Sequence, residues 1–259
     1  MNFTRIYAIM LRHTFLVIHQ IERFSDLLMF PVLSLALWGF LTLYIQKSQS
    51  ISFAGLFLGG LILWIMFERI ATSIGIDFMF DVWEKSVVNI LATPISLFEY
   101  TFSLVLVSLI KVGISFIAMW IAALIFYGFS IYSLGFYLIL FWINLILFGV
   151  TMGIFNVSLV IRYGHVVGPL TWIIPFLLQP FSAVFYPVSI LPPILQTFAW
   201  LLPISHVFEG LRYTLETGMF NSNAFFVSLA LNVFYFVLAV LFYSFMFNLA
   251  KRKGTLTKL

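Results

Sequence analysis

The chain contains no cysteine, and charged residues make up only 8% of its 259 positions. The first absence excludes disulfides and thiolate metal sites. The second, with polar residues falling mainly at segment ends, leaves no room for a separate soluble domain. No lysine follows a glycine, so the G-x-x-x-x-G-K-[ST] phosphate loop is absent and any ATP-driven activity needs a second polypeptide. His13, His19, His165 and His206 show no H-E-x-x-H or comparable spacing, so no metal site is legible. The net charge of +4 comes from cations scattered singly, apart from Lys251-Arg252-Lys253. That distribution sets membrane orientation and is not a nucleic-acid footprint.

What remains is apolar: 63% of the residues are hydrophobic, in runs reaching the roughly 20 residues that cross a hydrocarbon layer. The expectation is an all-α integral membrane protein, a single domain over 1–259 with six transmembrane helices. Residues 1–26 place Arg5, Arg12, His19 and Asp26 at seven-residue intervals opposite an apolar stripe, which suits an interfacial helix. No cleavable leader is evident, so the first span is expected to direct insertion. Spans are expected at about 27–45, 51–76, 97–127, 132–160, 165–186 and 224–249, with a short polar turn at 46–50.

Local signals refine this outline. Ser96-Leu-Phe-Glu99 is a capping box for the third span, which explains Glu99 without a further role. Gly149-x-x-x-Gly153 permits close helix contact. Pro169, Pro175 and Pro180 each remove a backbone donor and predict a kinked or unwound fifth span. Between 187 and 223 the chain is apolar but broken by Pro192, Pro193 and Pro203, and predicts a re-entrant or interfacial hairpin. With the termini cytoplasmic, nine cations including Arg5, Arg12, Arg23, Lys85 and Lys251 lie inside and only Lys47 and Arg212 outside, as the positive-inside rule requires. The charged segment at 78–96 is then cytoplasmic and the proline-rich hairpin external.

A charge at mid-bilayer costs roughly 2.5–3.5 kcal/mol on the lenient insertion scale and usually marks a pathway. Counting about 1.5 Å per residue from Glu99 puts Lys111 roughly 18 Å deep. The same ruler puts Asn144, Gln179 and Asn232 at about matching depths. These four residues are expected to form a polar layer, either lining a route or knitting the bundle, with outward snorkelling of Lys111 as the competing account. Glu68, Arg69 and Asp77 fall within the second span or at its cytoplasmic border.

The segment Asp81-Val-Trp-Glu-Lys85, followed by Ile90-Leu-Ala-Thr-Pro-Ile-Ser-Leu-Phe-Glu99, resembles the stretch E-(R/K)…L-x-(T/S)-P-x-(S/T)…E of type-2 ABC exporter permeases. Residues 183–196 and 202–212 are similar to that family's pattern before its last span. The resemblance implies that the charged segment is a coupling helix seated on a separate ATP-binding cassette subunit, with Asp81, Trp83, Glu84 and Lys85 as contact residues. It further implies a homodimer of permease chains in a two-plus-two complex, ATP and magnesium on the partner and no cofactor in this chain. Residence in a bacterial inner membrane follows from the same likeness, as does an external gate around Phe185, Tyr186, Pro187, Pro192, Pro193 and Trp200. The chain departs from the family where Lys85-Ser86 replaces the common Arg-Gly. Cargo is left open among lipid-linked glycans, lipids and other hydrophobic molecules. Two other classes compete: an ion-coupled carrier titrating Lys111 or Glu68, and a membrane scaffold without transport.

Overall fold

The computed structural model describes residues 1–46, 51–129, 135 and 137–253. Most of the turn expected at 46–50, with Lys47, the start of the fourth span at 132, and Lys258 lie outside the described residues. Among the described residues ten α-helices follow one another: α1 (Phe3–His19), α2 (Ile21–Gln46), α3 (Ile51–Trp83), α4 (Ser86–Leu91), α5 (Leu97–Tyr127), α6 (Tyr137–Tyr163), α7 (Leu170–Leu178), α8 (Pro193–Leu201), α9 (Pro203–Thr217) and α10 (Ser222–Arg252). Among the described residues there is no strand. Five helices among the described residues are long and apolar enough to span, within Ile21–Tyr44, Phe57–Trp83, Leu97–Tyr127, Tyr137–Tyr163 and Ser222–Arg252.

The N-terminal helix is shorter than expected. It stops at Gln20, whose backbone is extended while its N–H still closes on the Leu16 carbonyl; residues 21–26 already belong to α2. The side-chain carbonyl of Gln20 accepts from Arg23 across this corner. Phe3, Tyr7, Leu11, Phe15 and Ile18 of α1 are exposed and Ile6, Ile9, His13 and Val17 are buried. Both faces of α1 are thus largely apolar, and its arginines reach to the protein side.

The second long helix is α3, which continues to Trp83, beyond the end expected near 76. It is the hub: 83% of its spanning window is buried, against 22% for α2 and 17% for α10. Its close partner is α6, where glycines let the backbones approach. A Cβ on Gly149 would meet Ile70 at 2.9 Å, and one on Gly153 would meet Ile74 at 2.5 Å. Asn156 Nδ2 donates to the Ala71 carbonyl at 3.0 Å in the same seam. The small-x-x-x-small spacing therefore serves this intramolecular contact.

The chain leaves α3 through Glu84 and Lys85, the latter in the left-handed region at φ 55, and α4 lasts only six residues. The capping box at Ser96 and Glu99 forms with both reciprocal hydrogen bonds.

The fifth expected span is not a single long helix. Pro169 stands at the N-cap of α7, Pro175 lies inside it, and Pro180 sits in the 3₁₀ turn Gln179–Phe181 that follows. The nine residues of α7 rise about 14 Å, half of a hydrocarbon layer. The hairpin resolves into α8 and α9, separated at Leu202 by extended backbone, with Pro203 opening α9 where its missing N–H costs nothing.

Candidate functional site

The spacing of acids along α3 is the start of the site. Asp77 and Asp81 near the end of that helix, and Glu84 in the turn just past it, recur at intervals of four and three in one stripe. Facing them are cations from α1, α2 and α5. Arg12 Nη1 lies 2.8 Å from the Asp81 carboxylate, and its Nη2 donates to Ser86 Oγ at 3.0 Å. His13 Nε2 is 3.2 Å from the same carboxylate, and the Tyr100 hydroxyl donates to it. Arg23 bridges Asp77 at 3.5 Å and Glu84 at 3.2 Å. Lys111 donates to both Asp77 oxygens at 2.7 Å. Nearby, Arg69 pairs with Asp26, and Asn2 N–H donates to Glu99 at 2.8 Å with Arg5 at 3.7 Å.

This network has two consequences for the expected residues. Asp81 is fully buried, so its carboxylate anchors α1 to α3 and α5 and offers no surface to a partner. Trp83 is 48% exposed, and Glu84 and Lys85 beside it are also exposed. The contact candidates therefore reduce to Trp83, Glu84 and Lys85, with Glu84 already shared by Arg12, Gln20 and Arg23.

The four-residue polar layer does not assemble. Lys111 turns to Asp77 on α3, whereas Asn232 on α10 donates to Asn144 on α6, at 2.7 Å to Oδ1 and 3.0 Å to the carbonyl. Ser228 joins that pair, donating to Asn144 Oδ1 at 3.4 Å and to the Pro203 carbonyl at 3.0 Å. The backbone carbonyl of Gln179 accepts from the Ser182 hydroxyl in a local turn. Equal depth places residues in one layer but leaves their helix faces free, and here the faces diverge.

At the hairpin, Phe185 stacks between Trp38 at 5.5 Å and Phe57 at 5.1 Å. The Tyr186 hydroxyl donates to the Pro180 carbonyl at 2.8 Å, and Pro187 is extended ahead of a short 3₁₀ turn. Pro192 and Pro193 open α8. The Trp200 ring lies 5.0 Å from that of His206, which hydrogen-bonds the Trp200 carbonyl at 2.9 Å. Burial holds the His206 imidazole below its usual pKa, against the opposing pull of that carbonyl and of Glu209.

A second charged element escaped the sequence reading. Glu209 accepts from the Val188 N–H at 2.5 Å, Arg212 donates to the Ala183 carbonyl at 2.8 Å, and the two side chains pair at 3.1 Å. They clamp a loop in which Ala183 takes φ 59, a strained value for a residue with a Cβ. The i,i+3 spacing of Glu209 and Arg212 was the available signal; nothing in sequence indicated that their targets were backbone atoms.

Among the described residues no group of three metal-ligating side chains occurs. No curated protein matches the chain. The profile of the ABC-2 type transporter membrane family matches residues 5–216, a stretch that contains the acid stripe, its cationic partners and the clamped loop. The chain belongs to the ABC-2 type transporter family, as a transmembrane subunit of an ABC transporter.

Proposed function

We propose that this chain is the permease of an ATP-driven exporter, paired with a second permease around a central path and driven by a separate ATP-binding subunit. The observation that carries this reading is the long buried helix α3 ending in the exposed Trp83-Glu84-Lys85 turn. A rigid element reaching from the bundle core to a partner surface is what passes a conformational bias between two proteins. Trp83 and Lys85, with the exposed face of α4, are the contact to the ATPase. The chain acts as one permease domain and crosses six times, the broken helix 170–181 making a crossing with the segments that flank it. Its termini and α4 are cytoplasmic and α8 and α9 external, in a bacterial inner membrane. The aromatic stack at Phe185, with Tyr186, Pro187 and Trp200, forms the external gate. Cargo is a lipid-linked glycan, a lipid or another hydrophobic molecule. The pairing of Lys111 with Asp77 supports this over an ion-coupled carrier, because each neutralises the other's charge.

Co-expression with the ATP-binding subunit tests the assignment. Trp83→Ala with Lys85→Gly is expected to release the ATPase on purification and to abolish transport, while membrane insertion and thermal stability hold. Lys85→Gly suits its left-handed backbone, so folding is spared. Retained association and transport would overturn the coupling contact.

A further inference from the structure

Two cavities adjoin at Leu27 and Lys111. The first, of about 120 Å³, lies between α2, α3, α5 and α7 and is lined by Glu22, Arg23, Asp26, Arg69, Asp77 and Lys111, with the exposed ring of Trp172 at its wall. The second, of about 270 Å³, lies between α1, α2 and α5 and is lined by apolar groups such as Val17, Phe24, Leu28, Val107 and Ile114. Leu27 and Lys111 line both. The ammonium of Lys111 sits with Asp77 while the side chain also borders the apolar cleft, the division expected of an amphipathic lysine.

Three carboxylates and three cations make the polar cavity neutral in sum. A lone anion entering it meets Glu22, Asp26 and Asp77 and is repelled, and a lone cation meets Arg23, Arg69 and Lys111. A ligand bearing both charges is complementary. Bonding capacity of each sign is left over. Arg23 Nη1 is buried on a side chain only 2% exposed and stands 3.5 Å from Asp77, an ion pair in which that nitrogen makes no hydrogen bond. Glu22 is exposed at the rim and makes no ion pair among the described residues. The apolar cleft alongside has a lining suited to an acyl chain.

We propose that these neighbouring cavities hold a zwitterionic phospholipid, its phosphate taken by Arg23 and Arg69, its primary ammonium by Glu22 and Asp26, and an acyl chain laid past Leu27 and Lys111 along the cleft between α1, α2 and α5. Charge-assisted hydrogen bonds to a planar guanidinium suit a phosphate, and an ammonium with three N–H donors suits paired carboxylates. The site is stated for binding alone and does not depend on the chain being an exporter, so transport and lipid retention can fail independently.

The test is lipid retention by the purified full chain in detergent, read by native mass spectrometry against phosphatidylethanolamine and phosphatidylglycerol of equal acyl length. The ethanolamine lipid is expected to be retained about tenfold better, the worth of one charge-assisted hydrogen bond. Glu22→Gln, at an exposed unpaired position and so harmless to folding, is expected to erase that preference without weakening retention of the glycerol lipid. Ile114→Trp, which fills the cleft, is expected to lower retention of both. Equal retention of the two lipids by the native chain, or an unchanged ratio in Glu22→Gln, would overturn the site.

Discussion

Arg12 and Asp81 meet at 2.8 Å across two helices, the carboxylate fully buried and the guanidinium 28% exposed. The acid is overdetermined, since His13 and Tyr100 reach it as well. Removing one member of such a buried set leaves charge without solvent and costs about 3–5 kcal/mol. Arg12→Ala is therefore expected to lower the thermal midpoint in detergent sharply. Arg12→Ala with Asp81→Ala is expected to cost less than the sum of the two single changes, because the second removes the stranded charge. Additive losses would show that the two residues are not energetically coupled.

Lys111 and Asp77 make the second test. Lys111→Arg keeps a donor and a charge and is expected to leave stability within about 1 kcal/mol, whereas Lys111→Met strands Asp77 with Arg23 alone and is expected to cost about 3 kcal/mol. Asp77→Leu added to Lys111→Met is expected to recover part of that loss. Thermal unfolding of the purified variants reads the order directly, and equal stability of the methionine and arginine variants would remove the pair from the fold's support.

The loop at 183–188 is held at its backbone by two side chains. Glu209→Gln weakens the hydrogen bond to Val188 N–H by removing its charge, a change of about 1 kcal/mol or more. Amide exchange at Val188 is expected to quicken about fivefold or more in this variant. Arg212→Met is expected to loosen the same loop through Ala183. Unaltered exchange would mean that the loop is held by the Phe185 stack and not by the clamp.

At the α3–α6 seam the space is already closed. Gly153→Val pushes methyl groups into Ile74, and overpacking of this kind costs about 1–3 kcal/mol. Gly113, where an added Cβ meets nothing within 4 Å, is the matched control: Gly113→Ala is expected to be neutral or slightly stabilising through helix propensity. Comparable midpoints for the two variants would contradict the close approach of α3 and α6.

The sequence carried the long helices, the capping box and the glycine spacing because each depends on residues within a few positions of one another. It misled where the outcome rests on distant partners. Hydropathy placed the end of the second span near 76, since Asp77 and Asp81 look like the start of a polar segment. Cations on α1, α2 and α5 neutralise them and allow α3 to run on to Trp83. The polar layer failed for a related reason: the helical rise gives depth, but Lys111 and Asn144 belong to different seams. The prolines of the fifth span did announce its breakage. They did not announce that Glu209 and Arg212, some twenty residues on, would take up nearby backbone groups.

The corner at Gln20 is a single extended residue between two helices. A chain spans at most about 3.6 Å per residue, so this joint has swivel but almost no slack. α1 is anchored to α3 and α5 through Arg12 and Asn2, and α2 is long and apolar enough to span a bilayer. Any sideways travel of α1 longer than that one-residue tether must pull the start of α2 along with it, turning a sliding movement of one helix into a tilt of the next.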